Sequence, residues 1–388
     1  MQKNHSQTTP QKRQNAISEA VLFWILLVFI IFEILFLSVV LVRSLQKPDA
    51  PALPSGGEPP ISDVEPQPSA PVFAGAVLPT LPMANESTVT LLDEIDSQYA
   101  VLIDAETGTI LAQKGADVRF SPASMTKVMT LIVACENLTE ADLDRKMALT
   151  EEIDKYARGG KYAGTTQSLP RESNGFSCIG DTYRIEDLLY GIGVVSGSDC
   201  SVMVAGAICP AATIADSERQ FVDKMNQKLV DMGLSNTHFD NIIGYESENN
   251  YSTATDMAVI MSYALQCPLI KDILGTVSLN FSVYYTDDEG NEKDYSCTFN
   301  SSLFNALPDN PKYSSRIKKY EEKYGKFALD GATFGGGKTG TLGESNYIYS
   351  LVSYAQKGGK TYVLVTGETT ISYAVMRDAK TVYDTYIP

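Results

Sequence analysis

The chain has 388 residues, 44% of them hydrophobic and 20% charged, and its formal net charge is −16. This length allows two domains or one large domain with appended segments. A protein this acidic lacks the cationic face on which nucleic acids bind, so nucleic acid is excluded as a partner, and the negative charge mainly favours solubility.

The first predicted element is an almost wholly apolar run from Val21 to Val42, which is long enough to cross a bilayer as a helix. The run is too long for the apolar core of a signal peptide, and the small-residue stretch Ala50–Ala52 lies well beyond it, so we expect a retained anchor. Basic residues give a slight bias toward a cytoplasmic N-terminus. We therefore predict a single-pass cell-membrane protein with a cytoplasmic tail over residues 1–20, a transmembrane anchor over 21–42 and the remainder outside the membrane.

A proline-rich linker is predicted after the anchor. Prolines recur between residues 48 and 82 among few aromatic residues, a composition typical of an extended, solvated tether. Hydrophobic patterning of the globular kind begins near Leu91. We assign residues 43–90 to the linker and residues 91–388 to one globular domain.

Strands are predicted at both ends of the globular part, with helices between them. Tyr99–Asp104 and Ile110–Lys114 flank a Glu-Thr-Gly turn and predict a β-hairpin. Ser121 and Pro122 predict a helix start, with the serine as N-cap and the proline at the first helical position. The remaining patterns predict helices over 185–209, 218–232, 255–265 and 372–386, and strands over 281–286, 295–299, 347–354 and 361–366, with a plain hairpin turn at 287–292.

This order of elements predicts a mixed α/β fold of the α+β kind. The simplest arrangement is one antiparallel sheet built from both ends of the globular part, flanked by helices, with a helical lobe inserted between the two halves. A cleft between the sheet and the lobe is then the natural position for a functional site.

Cysteine and histidine patterns exclude two kinds of site. The six cysteines have a scattered spacing that fits neither a disulfide framework nor a metal site, so we predict no metal. Cys135 and Cys200 fall in apolar helical patterns and are predicted to lie in the core. The two histidines, His5 and His238, stand beside no candidate nucleophile, which disfavours serine–histidine catalysis.

Three short motifs occur in one order: Ser124-Met-Thr-Lys127, Ser196-Gly-Ser198 and Lys338-Thr-Gly340. Ser124 and Lys127 are three residues apart and share one helix face. In the first helical turn, the backbone N–H of Ser124 lacks an intrahelical partner and can donate to an oxyanion. A desolvated Lys127, or one near a second cation, has a lowered pKa and can accept the serine proton.

The other two motifs complete a catalytic set. Ser196 is predicted to relay a proton between Lys127 and a leaving amine. Lys338, with the hydroxyls of Thr339 and Thr341, can hold a carboxylate, while Gly340 on an edge strand admits a ligand backbone. Taken singly, the first motif also fits a helix cap, the second a helix kink and the third a glycine-rich turn. The occurrence of all three in this order favours acyl transfer through a serine ester.

Further stretches resemble the serine D-alanyl-D-alanine carboxypeptidases, the low-molecular-mass penicillin-binding proteins. The resemblance covers about residues 91–386 and is carried by the three motifs and by these stretches: Phe120–Lys127, Val195–Asp199, Met225–Lys228, Leu234–Phe239 and Tyr251–Met257. It implies a β-lactamase/transpeptidase-like fold without a cofactor. It also implies that Ser124 attacks peptidoglycan stem peptides ending in D-Ala-D-Ala, that β-lactam antibiotics acylate Ser124, and that His238 is a buried structural residue.

The chain departs from the family at Ser198, where asparagine is usual. Because serine is shorter and cannot both donate and accept as far out, we expect retained acylation with an altered rate or substrate choice. A non-catalytic, membrane-tethered sensor that binds wall peptides or penicillin is the alternative function. A D,D-endopeptidase shares much of the machinery, and a β-lactamase needs a deacylating base such as Glu151, Glu152 or Glu172, none of which stands in a recognisable pattern.

Overall fold

The computed structural model describes residues 69–91, 93–173, 176–304, 327–343 and 347–388. The predicted tail and anchor, residues 1–42, and most of the predicted linker lie outside these ranges. Within the described ranges, no single helix is long and apolar enough to cross a membrane, while the bent pair Ala254–Ala264 and Pro268–Gly275 satisfies that criterion by length and composition alone.

A six-stranded sheet joins the two ends of the globular part. Its strands are β1 (Val89–Thr90), β2 (Tyr99–Asp104), β3 (Ile110–Lys114), β10 (Thr333–Leu342), β11 (Ile348–Lys357) and β12 (Lys360–Thr369). Their order is β1-β3-β2-β12-β11-β10, and every pairing is antiparallel except that of β1 with β3. The pairing of β2 with β12 joins the two ends of the domain, as the sequence predicts.

The predicted hairpin over residues 281–299 does not belong to this sheet. A second sheet has the order β4-β7-β8-β9, formed by β4 (Lys146–Ala148), β7 (Thr182–Arg184), β8 (Ser278–Thr286) and β9 (Glu292–Asn300), and a short hairpin pairs β5 (Glu172–Ser173) with β6 (Phe176–Ser177). The prediction of one sheet is therefore wrong for β8 and β9. Their buried apolar residues, Phe281, Val283 and Phe299, join the hydrophobic core of the helical lobe instead.

The helices cover both faces of the six-stranded sheet. They are α1 (Lys127–Asn137), α2 (Glu140–Leu143), α3 (Glu151–Asp154), α4 (Ile185–Val194), α5 (Ser198–Ile208), α6 (Ile214–Met232), α7 (Ala254–Ala264), α8 (Pro268–Gly275) and α9 (Ala374–Tyr386). Alternate residues of β2 and β12 point to opposite faces, so Val101 and Val365 pack with the helical lobe while Leu102 and Leu364 pack with α9. Helix α1 runs through the centre of the lobe, where it packs against α4, α5, α6 and α7.

The N-terminal segment from residue 69 lies against the domain, although the sequence assigns it to the linker. The backbone N–H groups of Val72 and Phe73 donate to the carbonyls of Leu138 (2.7 Å) and Cys135 (2.9 Å). The buried Phe73 ring lies 5.0 Å from the ring of Tyr263. The predicted linker thus overlaps the folded domain, because Phe73 anchors a stretch whose prolines are otherwise typical of a tether.

The predictions of burial for Cys135, Cys200 and His238 have mixed outcomes. In the described part of the chain all cysteines are free thiols, and Cys135 and Cys200 are buried as predicted. The expectation of a buried His238 imidazole is wrong: the residue is exposed, and its Nδ1 lies 2.6 Å from the carbonyl oxygen of Asn249. Across the same ranges, no group of three or more His, Cys, Asp or Glu side chains could hold a metal ion.

Candidate active site

Ser124 lies in a 3₁₀ turn, Ala123–Thr126, immediately before α1. The predicted Ser121 N-cap is wrong, because Pro122 occupies that position and the buried Ser121 Oγ has no hydrogen-bond partner among the described residues. Ala123 has φ 48°, a left-handed conformation that non-glycine residues rarely adopt. The turn leaves Ser124 partly exposed, although the residues on both sides of it are buried.

Lys127, the first residue of α1, directs its side chain at the Ser124 hydroxyl. Its Nζ lies 3.2 Å from Ser124 Oγ, and the residue is 1% exposed. Burial, followed by the positive charge of Lys338, holds the pKa of Lys127 well below its usual range. A neutral amine next to a serine hydroxyl can accept the serine proton, so the pair has the chemistry of a nucleophile and its base.

A loop that the sequence analysis did not single out fixes the Lys127 amine. Nζ donates to the carbonyl oxygen of Ile243 at 2.9 Å. The buried Asn241 side chain shapes this loop, because its Oδ1 accepts from the backbone N–H groups of Ile243, Gly244 and Tyr245. Gly244 has φ 79°, and a Cβ at this position would lie 1.7 Å from the carbonyl oxygen of Ala123, so only glycine fits between loop and 3₁₀ turn.

Ser196 lies in the short loop between α4 and α5, so the helix predicted over residues 185–209 is divided at the second motif. The loop is closed by a hydrogen bond from Gly197 N–H to the Gly191 carbonyl at 2.9 Å. Ser196 has φ 65°, is 6% exposed, and its Oγ has no hydrogen-bond partner among the residues that the structure describes. A buried, unpaired hydroxyl on a strained backbone is costly, and such strain is typical of functional positions.

Ser198, the first residue of α5, is fully buried. Its Oγ lies 2.9 Å from Thr165 Oγ1, and its backbone N–H donates to the Thr166 carbonyl at 2.8 Å. The second motif therefore packs on the segment 161–169, which carries no sequence signal of its own.

Lys338 lies in β10, which among the described strands pairs on one side only and so forms an edge, as predicted. The residue is 1% exposed, its Nζ donates to the Thr339 carbonyl at 3.1 Å, and burial lowers the pKa of Lys338 to about 7. Thr339 is half-buried and Thr341 is exposed. A Cβ on Gly340 would lie 2.8 Å from the Pro122 carbonyl oxygen, so the glycine lets β10 approach the 3₁₀ turn.

The first and third motifs lie side by side, since Gly340 of β10 packs against the 3₁₀ turn that carries Ser124. The charge of Lys338 acts on Lys127, so the first and third motifs share one electrostatic environment. Ser302, also missed by the sequence analysis, lies between the end of α4 and the third motif. Its N–H donates to the carbonyl of Val194, two residues before the second motif, at 2.8 Å, and its Oγ lies 3.5 Å from Thr339 Oγ1. The glutamates considered as deacylating bases, Glu151, Glu152 and Glu172, are exposed, and Glu151 pairs with Lys155.

Solved structures of similar fold cover most of the chain. The Streptomyces K15 DD-transpeptidase matches with a TM-score of 0.59 and 27% identity over 74% of this chain and 95% of that chain. A D-alanyl-D-alanine carboxypeptidase from Mycobacterium tuberculosis H37Rv matches in fold, with a TM-score of 0.53, 21% identity and coverage of 78% and 94%.

Sequence comparisons agree with these structures. The D-alanyl-D-alanine carboxypeptidase DacF of Bacillus subtilis is 33% identical over 181 residues, which are 47% of this chain and 42% of DacF. DacA of Escherichia coli is 32% identical over 186 residues, 48% of this chain and 42% of DacA. The chain thus spans less than half the length of these relatives. A profile of the D-alanyl-D-alanine carboxypeptidase family matches residues 84–297, more than half of the chain, and the protein therefore belongs to this family.

Proposed function

We propose that this protein is a serine-type D-Ala-D-Ala carboxypeptidase that removes the terminal D-alanine from peptidoglycan stem peptides. One observation carries the proposal: the Ser124 hydroxyl lies 3.2 Å from a buried lysine amine whose pKa is lowered by burial and by a second lysine. The names of the relatives supply the substrate class.

In the proposed acylation, Ser124 Oγ attacks the carbonyl carbon between the two D-alanines while Lys127 takes the serine proton. The backbone N–H groups of Ser124 and Thr341 donate to the oxyanion that develops. The position of Ser124 supports its part: the first hydrogen bond of the 3₁₀ turn comes from the next residue, Met125, whose N–H donates to the Pro122 carbonyl.

The C–N bond then breaks, and the departing D-alanine amine takes the proton from Lys127 through the Ser196 hydroxyl. Ser196 Oγ has no hydrogen-bond partner among the described residues, so the hydroxyl is available for this relay. Water, deprotonated by Lys127, attacks the ester and releases the shortened peptide, which restores Ser124.

The substrate carboxylate is held by the third motif. Lys338 supplies the positive charge, Thr339 and Thr341 supply hydroxyl donors, and Gly340 keeps the edge of β10 close to Ser124. A β-lactam with a reactive amide carbonyl and a carboxylate meets the same groups, so we expect acylation of Ser124 by penicillin.

The pKa of Lys338 leads to a prediction about pH. We expect the second-order rate constant for penicillin acylation to fall as pH rises through about 7, because Lys338 is charged below its pKa and neutral above it. Lys338→Arg stays protonated, so its alkaline limb is expected at higher pH. Stopped-flow acylation between about pH 5 and about pH 9 measures both profiles. Identical alkaline limbs in the two proteins would contradict the assignment.

The location of the domain is part of the proposal. Residues 21–42 are proposed to anchor the protein in the cell membrane with a cytoplasmic N-terminus and the catalytic domain outside, where peptidoglycan is accessible. Protease accessibility of the domain on intact protoplasts tests this orientation.

The proposed activity is tested by incubating the protein with a synthetic stem peptide ending in D-Ala-D-Ala and measuring released D-alanine. In parallel, intact mass after penicillin exposure and a chase measures adduct formation and decay. We expect D-alanine release and slow loss of the adduct. A permanent adduct without D-alanine release supports the sensor alternative, and the absence of any adduct refutes both.

A further inference from the structure

A buried carboxylate on α6 accepts from three side chains of a neighbouring segment. Glu218 is 3% exposed, and its oxygens accept hydrogen bonds from the hydroxyls of Tyr156 and Tyr162. The ammonium group of Lys161 pairs with the same carboxylate at 2.9 Å. These three residues lie in the segment 155–162, between α3 and β5. Glu218 therefore attaches this segment to α6, and the three donors offset the cost of burying its charge.

Of these three donors, Tyr162 also lies against the loop 241–245. The residue is fully buried, and its ring lies 6.2 Å from the ring of Tyr245. Burial raises the pKa of Tyr162, and the backbone N–H of Ile242, which lies close to the phenol hydroxyl, acts in the opposite direction. Tyr156 packs against the edge of the Tyr162 ring, with 5.9 Å between the ring centres. Tyr162 therefore connects Glu218 to the loop 241–245.

The same loop is bonded to α1 through two backbone carbonyls. Thr130 Oγ1 donates to the Ile242 carbonyl at 2.7 Å, and Lys127 Nζ donates to the Ile243 carbonyl at 2.9 Å. Thr130 and Lys127 are three residues apart and share one face of α1. The backbone of residues 242 and 243 therefore lies between this face and Tyr162. Because the Lys127 side chain is long and flexible, the direction of its amine depends on where the Ile243 carbonyl lies.

We propose that Glu218 is a positioning residue for the acylation step: it holds Tyr162 against the loop 241–245, and that loop directs the Lys127 amine at Ser124. This inference rests on the proposed function and adds a residue on α6, outside the three motifs. Its effect is confined to proton transfer from Ser124. The ligand carboxylate is held by the third motif, so binding before acylation is independent of Glu218.

The test separates the acylation rate constant from the dissociation constant of the non-covalent penicillin complex, by stopped-flow measurements over a range of penicillin concentrations. We expect Tyr162→Phe to lower the rate constant by about 10-fold and to leave the dissociation constant unchanged, because the ring is no longer fixed to Glu218 and the loop shifts. Tyr156→Phe is the matched control. It removes a hydroxyl bonded to the same carboxylate but leaves the bond between Tyr162 and Glu218 intact, so we expect the wild-type rate constant.

Variants of Glu218 test the other end of the connection. Glu218→Ala is expected to slow acylation as much as Tyr162→Phe, and the double variant no further. Glu218→Gln keeps an acceptor oxygen for the Tyr162 hydroxyl and is expected to restore the wild-type rate constant.

Thermal unfolding verifies the folding of each variant, and the comparison of the two tyrosine variants is decisive even where Glu218→Ala does not fold. Equal rate constants in Tyr162→Phe and Tyr156→Phe, whether slowed or not, overturn the inference and leave the proposed function intact. Failure of the wild-type protein to form any adduct overturns the proposed function, and this inference with it.

Discussion

Replacement of Ser124 by alanine is expected to abolish both the penicillin adduct and D-alanine release, with a loss of about 10³-fold or more. The hydroxyl is the only atom removed, and in the described structure it is the side-chain hydroxyl that the Lys127 amine contacts. Folding is expected to be retained, because Ser124 is partly exposed and its side chain makes one modest hydrogen bond. Intact mass and peptide mapping after penicillin exposure measure the effect.

Ser121→Ala is the matched control for this variant. It removes the same atom three residues earlier, from a hydroxyl without a hydrogen-bond partner in the described ranges, so we expect wild-type acylation. An adduct on Ser124→Ala that maps to another serine would show that the nucleophile is wrongly assigned. Loss of the adduct in both variants would indicate that the turn had been disturbed, which circular dichroism would reveal.

The local structure around the three motifs was predictable in part, because each motif lies in a strong sequence pattern. These patterns involve only residues that are neighbours in the chain. An apolar helix follows Ser124, polar residues interrupt an apolar run at Ser196, and glycines precede Lys338. The structure confirms the edge strand at the third motif, and it divides the helix predicted over residues 185–209 at the second. Assignment of these residues to catalysis stays a prediction, which the variants of Ser124 and Lys127 test.

The groups that complete the site could not be read from the sequence, because they act through backbone atoms or distant packing. Ile243 contributes a carbonyl oxygen, which every residue type has, so its identity carries no signal. Thr165 lies 33 residues before Ser198, and a lone threonine in a polar loop indicates nothing. Asn241 and Gly244 do indicate a tight turn, since both residue types are typical of turns. The close approach of this turn to Ala123 depends on the tertiary structure and could not be predicted from them.

Tertiary contacts also explain two of the failed predictions, the N-cap at Ser121 and the single sheet. Ser121 has the residue type of an N-cap, but close approach of Gly244 and Gly340 to the 3₁₀ turn favours a different start for the helix. Strands β8 and β9 have the pattern of any half-buried hairpin, and only the pairing of Thr182 with Tyr284 decides which sheet they join.

Replacement of Lys127 by methionine is expected to slow acylation by about 10³-fold or more while leaving Ser124 in position. Methionine has a similar length and fills the buried space, but it cannot accept a proton. Lys127→Arg separates basicity from charge, because a guanidinium stays protonated and also cannot act as the base; we expect it to be as slow as the methionine variant. Lys224→Met, at an exposed lysine on α6 that contacts Asn137, is the control and is expected to acylate normally.

The stability of Lys127→Met distinguishes a catalytic role from a structural one. The variant leaves the Ile243 carbonyl without its donor, a cost of about 1–3 kcal/mol, but it also removes a buried amine whose desolvation opposes folding. These effects have opposite sign, so we expect a small net change in thermal stability beside a very large loss of rate. A catalytic base fits that combination, whereas a structural lysine would lose stability and rate together. Rapid acylation of Lys127→Met would show that another group takes the serine proton, and the site as described contains no second amine in contact with Ser124 Oγ.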